Sequence, residues 1–264
     1  MARDECTDSG SARERWNERA ERFDGFYETF RGAVEAYMDW HLLQRYLPEN
    51  REARILDAAG GTGRMTLPLV KKGYPVTLCD ISPGMLRVAR QKLLREGLLD
   101  RVEIQECDVR QLPFADESFD FILCWDGSTE AASELIRVTK SGGRFSLFLV
   151  NLCRGAIDLF SEDPGAALAR LESRSEDIYD EGVGYRAVTP QEAREFFEAQ
   201  GIRVLDLYAV CGWMDVLHVP QEIRESTEWD KEFFDQTTKM VLRLSREPSV
   251  QGISRHLVVY GEKP

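Results

Sequence analysis

The chain has 264 residues, a formal net charge of −12, 43% hydrophobic and 30% charged residues; this suits one sizeable core, with or without an attached cap, and excludes a disordered chain. No apolar run reaches membrane-spanning length, and MARDECTDSGSARERW lacks the apolar core of a signal peptide, so a cytoplasmic protein with no membrane partner is expected. The acidity disfavours nucleic acid as a general partner but does not exclude a local basic patch.

After a loose tail over 1–10, a helical pattern covers about 11–31, with Trp16, Ala20, Phe23 and Tyr27 near one face. A second helix is predicted over about 32–47, ending before Pro48. ARILDAA reads as a buried strand, GGTG as a turn, and RMTLPLVKKG as the start of a helix. YPVTLCD is a second strand, followed by a helix that Ser82 caps and Pro83 opens. RVEIQECD and SFDFILCW are the third and fourth strands. TEAASELIRVTKSGG reads as a helix closing on glycines, and RFSLFLVN as the fifth strand. Strand–helix alternation of this kind requires a mostly parallel sheet covered on both faces.

Residues 152 to about 187 break the rhythm with acidic pairs, Pro164 and several glycines, and an inserted cap of short helices is expected. A helix then starts at Thr189–Pro190, VLDLYAV is the sixth strand, and 221–246 reads as mainly helical. HLVVYGEK is a final strand, expected to run antiparallel to its neighbours. The six cysteines (Cys6, Cys79, Cys107, Cys124, Cys153 and Cys211) form no CxxC and read as buried free thiols. The three histidines are too separated to suggest a metal site.

The sharpest local signal is Asp57-Ala58-Ala59-Gly60-Gly61-Thr62-Gly63 at the end of the first strand. Gly61 and Gly63 let the backbone turn tightly and approach a ligand closely. Exposed N–H groups and the next helix start favour a polar or anionic group there. Asp57 can accept from backbone N–H groups or from a ligand's ammonium. Asp80 ends the second strand, where a carboxylate can accept from both hydroxyls of a ribose, a feature shared with nicotinamide enzymes. Asp108 ends the third strand; beside Val109 it can bind the exocyclic amine of adenine while the valine packs on the ring. Met85 or Ile81 can cover the other ring face.

Together these segments resemble class I methyltransferases dependent on S-adenosylmethionine. LDAAGGTG is similar to their first motif, above all in ubiquinone and menaquinone C-methyltransferases, where alanine also stands at the position of Ala59. GYPVTLCDISPGML resembles their ribose-binding region, and CDVRQLPFADESFDFI their adenine-binding region and fourth strand. The resemblance covers about 14–150. It implies S-adenosyl-L-methionine as cofactor and S-adenosyl-L-homocysteine as product. Asp57, Ala59, Gly61 and Gly63 then lie at the methionine end, Asp80 at the ribose, and Asp108 and Val109 at the adenine. ARERWNERAERFDGFY is similar to an N-terminal cap of relatives. The tail REPSVQGISRHLVVYGEKP resembles bacterial tRNA carboxymethoxyuridine methyltransferases, from which the short span between Asp120 and Gly142 departs.

Methyl transfer needs alignment of the acceptor with sulfur and methyl carbon, and a base only where the acceptor must lose a proton. The candidates for catalysis are His218 as a base near neutrality, Asp126 after the fourth strand, and Tyr27 closing over the cofactor. Trp125 can wall the acceptor or stack on adenine. Tyr179 and Tyr185 can line the inserted segment. Arg154 can bind a carboxylate; with Arg243, Arg246 and Arg255 it can form one anion site or an outward basic stripe, or the four are separate solvated charges.

The expected fold is α/β: a Rossmann-like, seven-stranded, mostly parallel sheet with flanking helices, an N-terminal helical lid and an inserted cap after strand five. The divisions are 1–50, tail and lid; 51–151, cofactor-binding core; 152–187, cap; and 188–264, the rest of the core. The leading function is S-adenosylmethionine-dependent methyl transfer to a small soluble metabolite by a monomer or homodimer. Methylation of a tRNA wobble uridine and non-catalytic S-adenosylmethionine binding by a regulator are the alternatives; a nicotinamide dehydrogenase fits Asp108 less well.

Overall fold

The computed structural model describes residues 9–125, 129–173, 177–180 and 183–264. Two helices, α1 (Ser9–Tyr27) and α2 (Phe30–Leu43), precede β1 (Ile55–Ala58), α3 (Thr66–Lys71), β2 (Val76–Asp80) and α4 (Pro83–Arg95). Then come β3 (Val102–Glu106), β4 (Phe119–Cys124), α5 (Ala132–Val138) and β5 (Thr139–Val150). The segment that breaks the sequence rhythm forms α6 (Leu152–Phe160), α7 (Pro164–Ser173) and the antiparallel hairpin β6 (Asp177–Asp180) and β7 (Val183–Arg186). The chain closes with α8 (Pro190–Glu198), β8 (Arg203–Val210), α9 (Trp213–Val216), α10 (Gln221–Arg224), α11 (Lys231–Leu244), α12 (Pro248–Gln251) and β9 (His256–Glu262).

The main sheet has seven strands in the order β3-β2-β1-β4-β5-β9-β8. β1 to β5 pair in parallel, and β9 runs antiparallel between β5 and β8. This is the expected Rossmann-like sheet with its antiparallel last strand. Every residue of β1 and β2 is buried, as strands covered on both faces must be. Alternate residues feed two clusters. Ile55, Phe121, Leu123 and Phe148 pack on the face of α2 and α3, while Leu56, Ala58, Ile122 and Leu147 pack with α5 and α8 on the other. The order reverses between β1 and its neighbours β2 and β4, which opens a crevice beyond the carboxyl ends of the strands.

Two expectations need correction. TKSGG is strand rather than helix: α5 stops at Val138, and β5 begins at Thr139 opposite Phe119. Long-range pairing decides this, since Gly142 N–H donates to Lys263 C=O at 2.7 Å and Lys263 N–H to Gly143 C=O at 2.9 Å. The inserted segment is not made of short helices alone, because β6 and β7 pair within it.

α4 forms as its sequence predicts. Ser82 Oγ accepts from Met85 N–H, Pro83 occupies the first turn, and Leu86, Ala89 and Leu93 are buried along one stripe. α1 lies against α4 through side chains that also reach the glycine turn. Asn17 Oδ1 accepts from Ser82 Oγ and Gly84 N–H, both at 2.7 Å. Thr62 Oγ1 donates to Asp24 at 2.6 Å, and Lys92 Nζ bonds both oxygens of the same carboxylate. α2 packs against α11, with Phe30 stacked on Phe233 at 5.3 Å. No described helix is long and apolar enough to cross a membrane. Cys79, Cys107, Cys124, Cys153 and Cys211 are free thiols. Cys6 lies outside the described residues.

Candidate active site

The turn after β1 is built on left-handed backbone, with φ of +51° at Ala59, +57° at Gly61 and +73° at Gly63. That conformation suits glycine and strains alanine. Gly60 is required for a different reason: a Cβ there would lie 2.4 Å from Leu78 Cδ1 and 2.6 Å from Asp57 Cγ. A Cβ on Gly61, by contrast, would meet nothing closer than Met85 Sδ at 3.9 Å, so the outer side of the turn is open. Met85 is buried beneath that opening, and Ile81 is half-buried at the end of β2.

Three carboxylates ring this turn in different electrostatic states. Asp57 is 3% exposed and accepts from Thr66 Oγ1 at 2.6 Å. Burial pushes its carboxyl up to about 6, against the hydrogen bond from Thr66 and the charge of Arg64. Asp80 is also buried, yet accepts from Gly61 N–H at 2.9 Å and Ser82 N–H at 2.8 Å, tying the glycine turn to the start of α4. Asp108 is more open. Arg110 holds it with a guanidinium fork, Nε at 3.0 Å and Nη2 at 2.7 Å, and with its backbone N–H at 2.9 Å. An adenine amine at Asp108 must therefore share the carboxylate with Arg110. Val109, half-buried, packs with the cluster of Ala58, Cys107 and Cys124.

A second polar group flanks the turn on the α2 side of the sheet. Arg64 lies 4.5 Å above the Tyr27 ring and 5.4 Å from that of Trp125, and its Nη1 donates to Asp39 at 2.9 Å. Trp125 stacks on Phe148 at 4.6 Å and donates from Nε1 to Ser146 Oγ. It packs with the α2-side cluster, not with Val109, and faces the Arg64 group. Arg31 donates to Glu35 at 3.2 Å, and Cys211 lies near the same carboxylate. Burial raises the carboxyls of Glu35 and Asp39, the latter to about 6. Burial also holds the Tyr27 phenol well above its ordinary range, with Arg64 opposing.

Other expected residues fall elsewhere. His218 is exposed in left-handed backbone after α9, with φ of +50°. Asp126 lies outside the described residues, as do the side chains of Tyr179 and Tyr185. The four arginines do not form one site: Arg154 and Arg255 converge on Asp158, Arg246 contacts Asp206 and Tyr208, and Arg243 is exposed in the last turn of α11. His256 stacks near Phe148 with Nδ1 buried and without a hydrogen-bond partner among the described residues, and burial pushes it down to about 4. Glu35 and Asp39 were also missed. Their signal was Arg31, Glu35 and Asp39 at four-residue intervals beside Val34, Met38 and Leu42, where an apolar helix face carries charge. No group of three or more potential metal ligands occurs among the described residues.

A family model for methyltransferase domains matches residues 55–143. The chain is 36% identical over 181 residues to a ubiquinone/menaquinone biosynthesis C-methyltransferase of Teredinibacter turnerae, covering 62% of this chain and 73% of that protein. It is 37% identical over 138 residues to a demethylmenaquinone methyltransferase of Clavibacter sepedonicus, covering 48% of this chain and 55% of the relative. In several curated relatives the match thus spans about half their length or less, falling to 41% for one from Pectobacterium carotovorum. Among solved structures, the chain resembles a geranyl diphosphate C-methyltransferase of Streptomyces coelicolor, with a TM-score of 0.55 at 11% identity over 87% of this chain and 78% of that one. It also resembles the MccD protein, with a TM-score of 0.56 at 17% identity over 86% and 97%. These two likenesses concern the fold.

Sheet order, glycine turn and sequence relatives together define a class I methyltransferase dependent on S-adenosylmethionine, and the chain belongs to that family. Within it, the chain is similar to the ubiquinone/menaquinone C-methyltransferases. The residues present fit the cofactor: the open side of Gly61 leaves room for it, and the acceptor oxygens of Asp80 lie at the edge of that opening.

Proposed function

We propose that the protein transfers a methyl group from S-adenosylmethionine to a small organic acceptor. The observation that carries this reading is Asp80 hydrogen-bonded to Gly61 N–H at the mouth of an open glycine turn. Asp80 fixes the turn and offers acceptor oxygens to the ribose hydroxyls. Gly61 and Gly63 pass close to the methionine end, with Ala59 in the same turn and Asp57 supporting it from below. Met85 and Ile81 cover one adenine face, Val109 packs on the other, and Asp108 accepts from the amine. When bound, the cofactor supplies an electrophilic methyl group. The α1–α2 pair acts as a lid: Tyr27 and Trp125 wall the reaction end and help exclude water. The segment α6–β7 serves as the cap on the acceptor side.

The small-molecule acceptor is favoured by the net charge of −12 and by Arg154, Arg246 and Arg255, which turn to Asp158 and Asp206. Relatives named for demethylmenaquinone and ubiquinone chemistry support an aromatic acceptor. The test is incubation with methyl-labelled S-adenosylmethionine, followed by separation of tRNA from small metabolites of the native cell. Label in the small-metabolite fraction supports the proposal. Label in tRNA replaces it with wobble-uridine methylation, and tight cofactor binding without label in either fraction points to a regulator.

A further inference from the structure

Arg64 is the first side chain beyond Gly63, and its guanidinium lies beside Trp125, the residue that follows β4 at the carboxyl ends of the strands. Its side chain is 18% exposed, the guanidinium lying against the Tyr27 and Trp125 rings. A guanidinium carries five N–H donors in a rigid plane. Among the described residues, the Arg64 guanidinium makes one hydrogen bond, from Nη1 to Asp39. The unused donors are not sealed among protein atoms, so water or a ligand can take them, and a ligand would meet a cation already held in place. The nearby carboxylates are already engaged: Asp39 faces Arg64, and Glu35 is held by Arg31. The two ion pairs cancel, so no carboxylate stands ready for an incoming cation. What remains is the planar donor fork, pinned by two rings, which matches a group with two coplanar oxygens.

We propose that Arg64 is a carboxylate clamp at the reaction end of the glycine turn. The carboxylate belongs either to the amino-acid part of S-adenosylmethionine or to the methyl acceptor. The inference rests on the methyltransferase reading of the site. Asp39 is the positioning residue: it holds one edge of the guanidinium and leaves Nε and Nη2 for the ligand. Tyr27 and Trp125 set the plane of the fork.

The experiment is titration calorimetry of the full chain with S-adenosylhomocysteine and with methylthioadenosine, which lacks the amino-acid carboxylate. Wild type is compared with Arg64→Met, Arg64→Lys and the double variant Asp39→Asn/Arg64→Met. The double variant removes both charges together and covers the case in which Asp39 left alone prevents folding. If the clamp holds the cofactor's carboxylate, Arg64→Met and the double variant bind S-adenosylhomocysteine about 10- to 100-fold more weakly, with methylthioadenosine unchanged. Arg64→Lys, which keeps charge but loses the fork, falls between. If the clamp serves the acceptor, S-adenosylhomocysteine binds all variants equally, while benzoate binds the product-loaded wild type and not Arg64→Met. Equal S-adenosylhomocysteine affinity together with no Arg64-dependent benzoate binding overturns the clamp. Parallel loss of both nucleosides in every variant also overturns it, because it reveals a merely structural role. Failure of wild type to bind S-adenosylhomocysteine at all overturns the methyltransferase reading instead.

Discussion

Substitution of Asp57 by asparagine isolates the electrostatic strain beneath the glycine turn. Burial moves this carboxyl from 3.8 to about 6 in the folded protein. Between those values the folded state binds more protons than the unfolded one, so the contribution of Asp57 to stability falls as pH rises. The full loss is about 3 kcal/mol, at roughly 1.4 kcal/mol per unit, and about 2 kcal/mol of it accrues between about pH 4 and pH 7. The asparagine side chain does not titrate, and its amide oxygen can still accept from Thr66 Oγ1. Its amide N–H groups add a constant cost of about 1–3 kcal/mol wherever they find no partner. That offset does not depend on pH. Urea unfolding of wild type and Asp57→Asn across this range therefore gives a stability difference that shifts in favour of the variant by about 2 kcal/mol as pH rises. Asp39 titrates in the same window but is common to both proteins, so it cancels unless the two sites couple. A difference independent of pH, or one moving in favour of wild type, would refute the assignment of a desolvated carboxylate at position 57.

Three further outcomes follow from the geometry. Asp80→Ala removes the acceptor for Gly61 N–H and Ser82 N–H; calorimetry should show S-adenosylhomocysteine binding weakened about 10- to 100-fold, and unchanged affinity would displace Asp80 from the ribose. Tyr27→Phe and His218→Ala should each retain label transfer to within about threefold, because the buried phenol stays protonated and His218 is exposed; a loss of about 100-fold or more would make that residue a general base. Thr189→Ala removes the hydroxyl that accepts from Glu192 N–H at the start of α8 and leaves the backbone N–H bond to the Glu192 carboxylate; denaturant unfolding should report a loss of about 1 kcal/mol with cofactor affinity preserved.

The sequence is most legible where structure is local. Apolar runs bounded by Gly, Pro and Asp mark β1, β2 and β4, and Ser82–Pro83 and Thr189–Pro190 mark helix starts with their capping bonds in place. The acidic strand ends mark the cofactor side because a parallel sheet gathers those ends at one edge. Residues whose state depends on distant partners are not legible. The glycines of TKSGG look like a helix stop until Lys263 arrives from the end of the chain to pair with them. Asp39 and Glu35 look like surface charges until α1, α11 and the turn at Cys211 close around α2. His256 and His218 are equivalent as letters, but tertiary packing half-buries one beside Phe148 and leaves the other in solvent. Arg110 two residues after Asp108 was visible, yet only the folded turn shows its fork closing on the carboxylate.

The most direct measurement is a crystal structure with S-adenosylhomocysteine bound. The account predicts both ribose hydroxyls within hydrogen-bond distance of the Asp80 carboxylate, the adenine between Val109 and the Met85–Ile81 side, and the homocysteine over Gly61 and Gly63. Ligand lying away from Asp80, such as in the groove by Gly142 and Arg144 at the other end of the sheet, would contradict it.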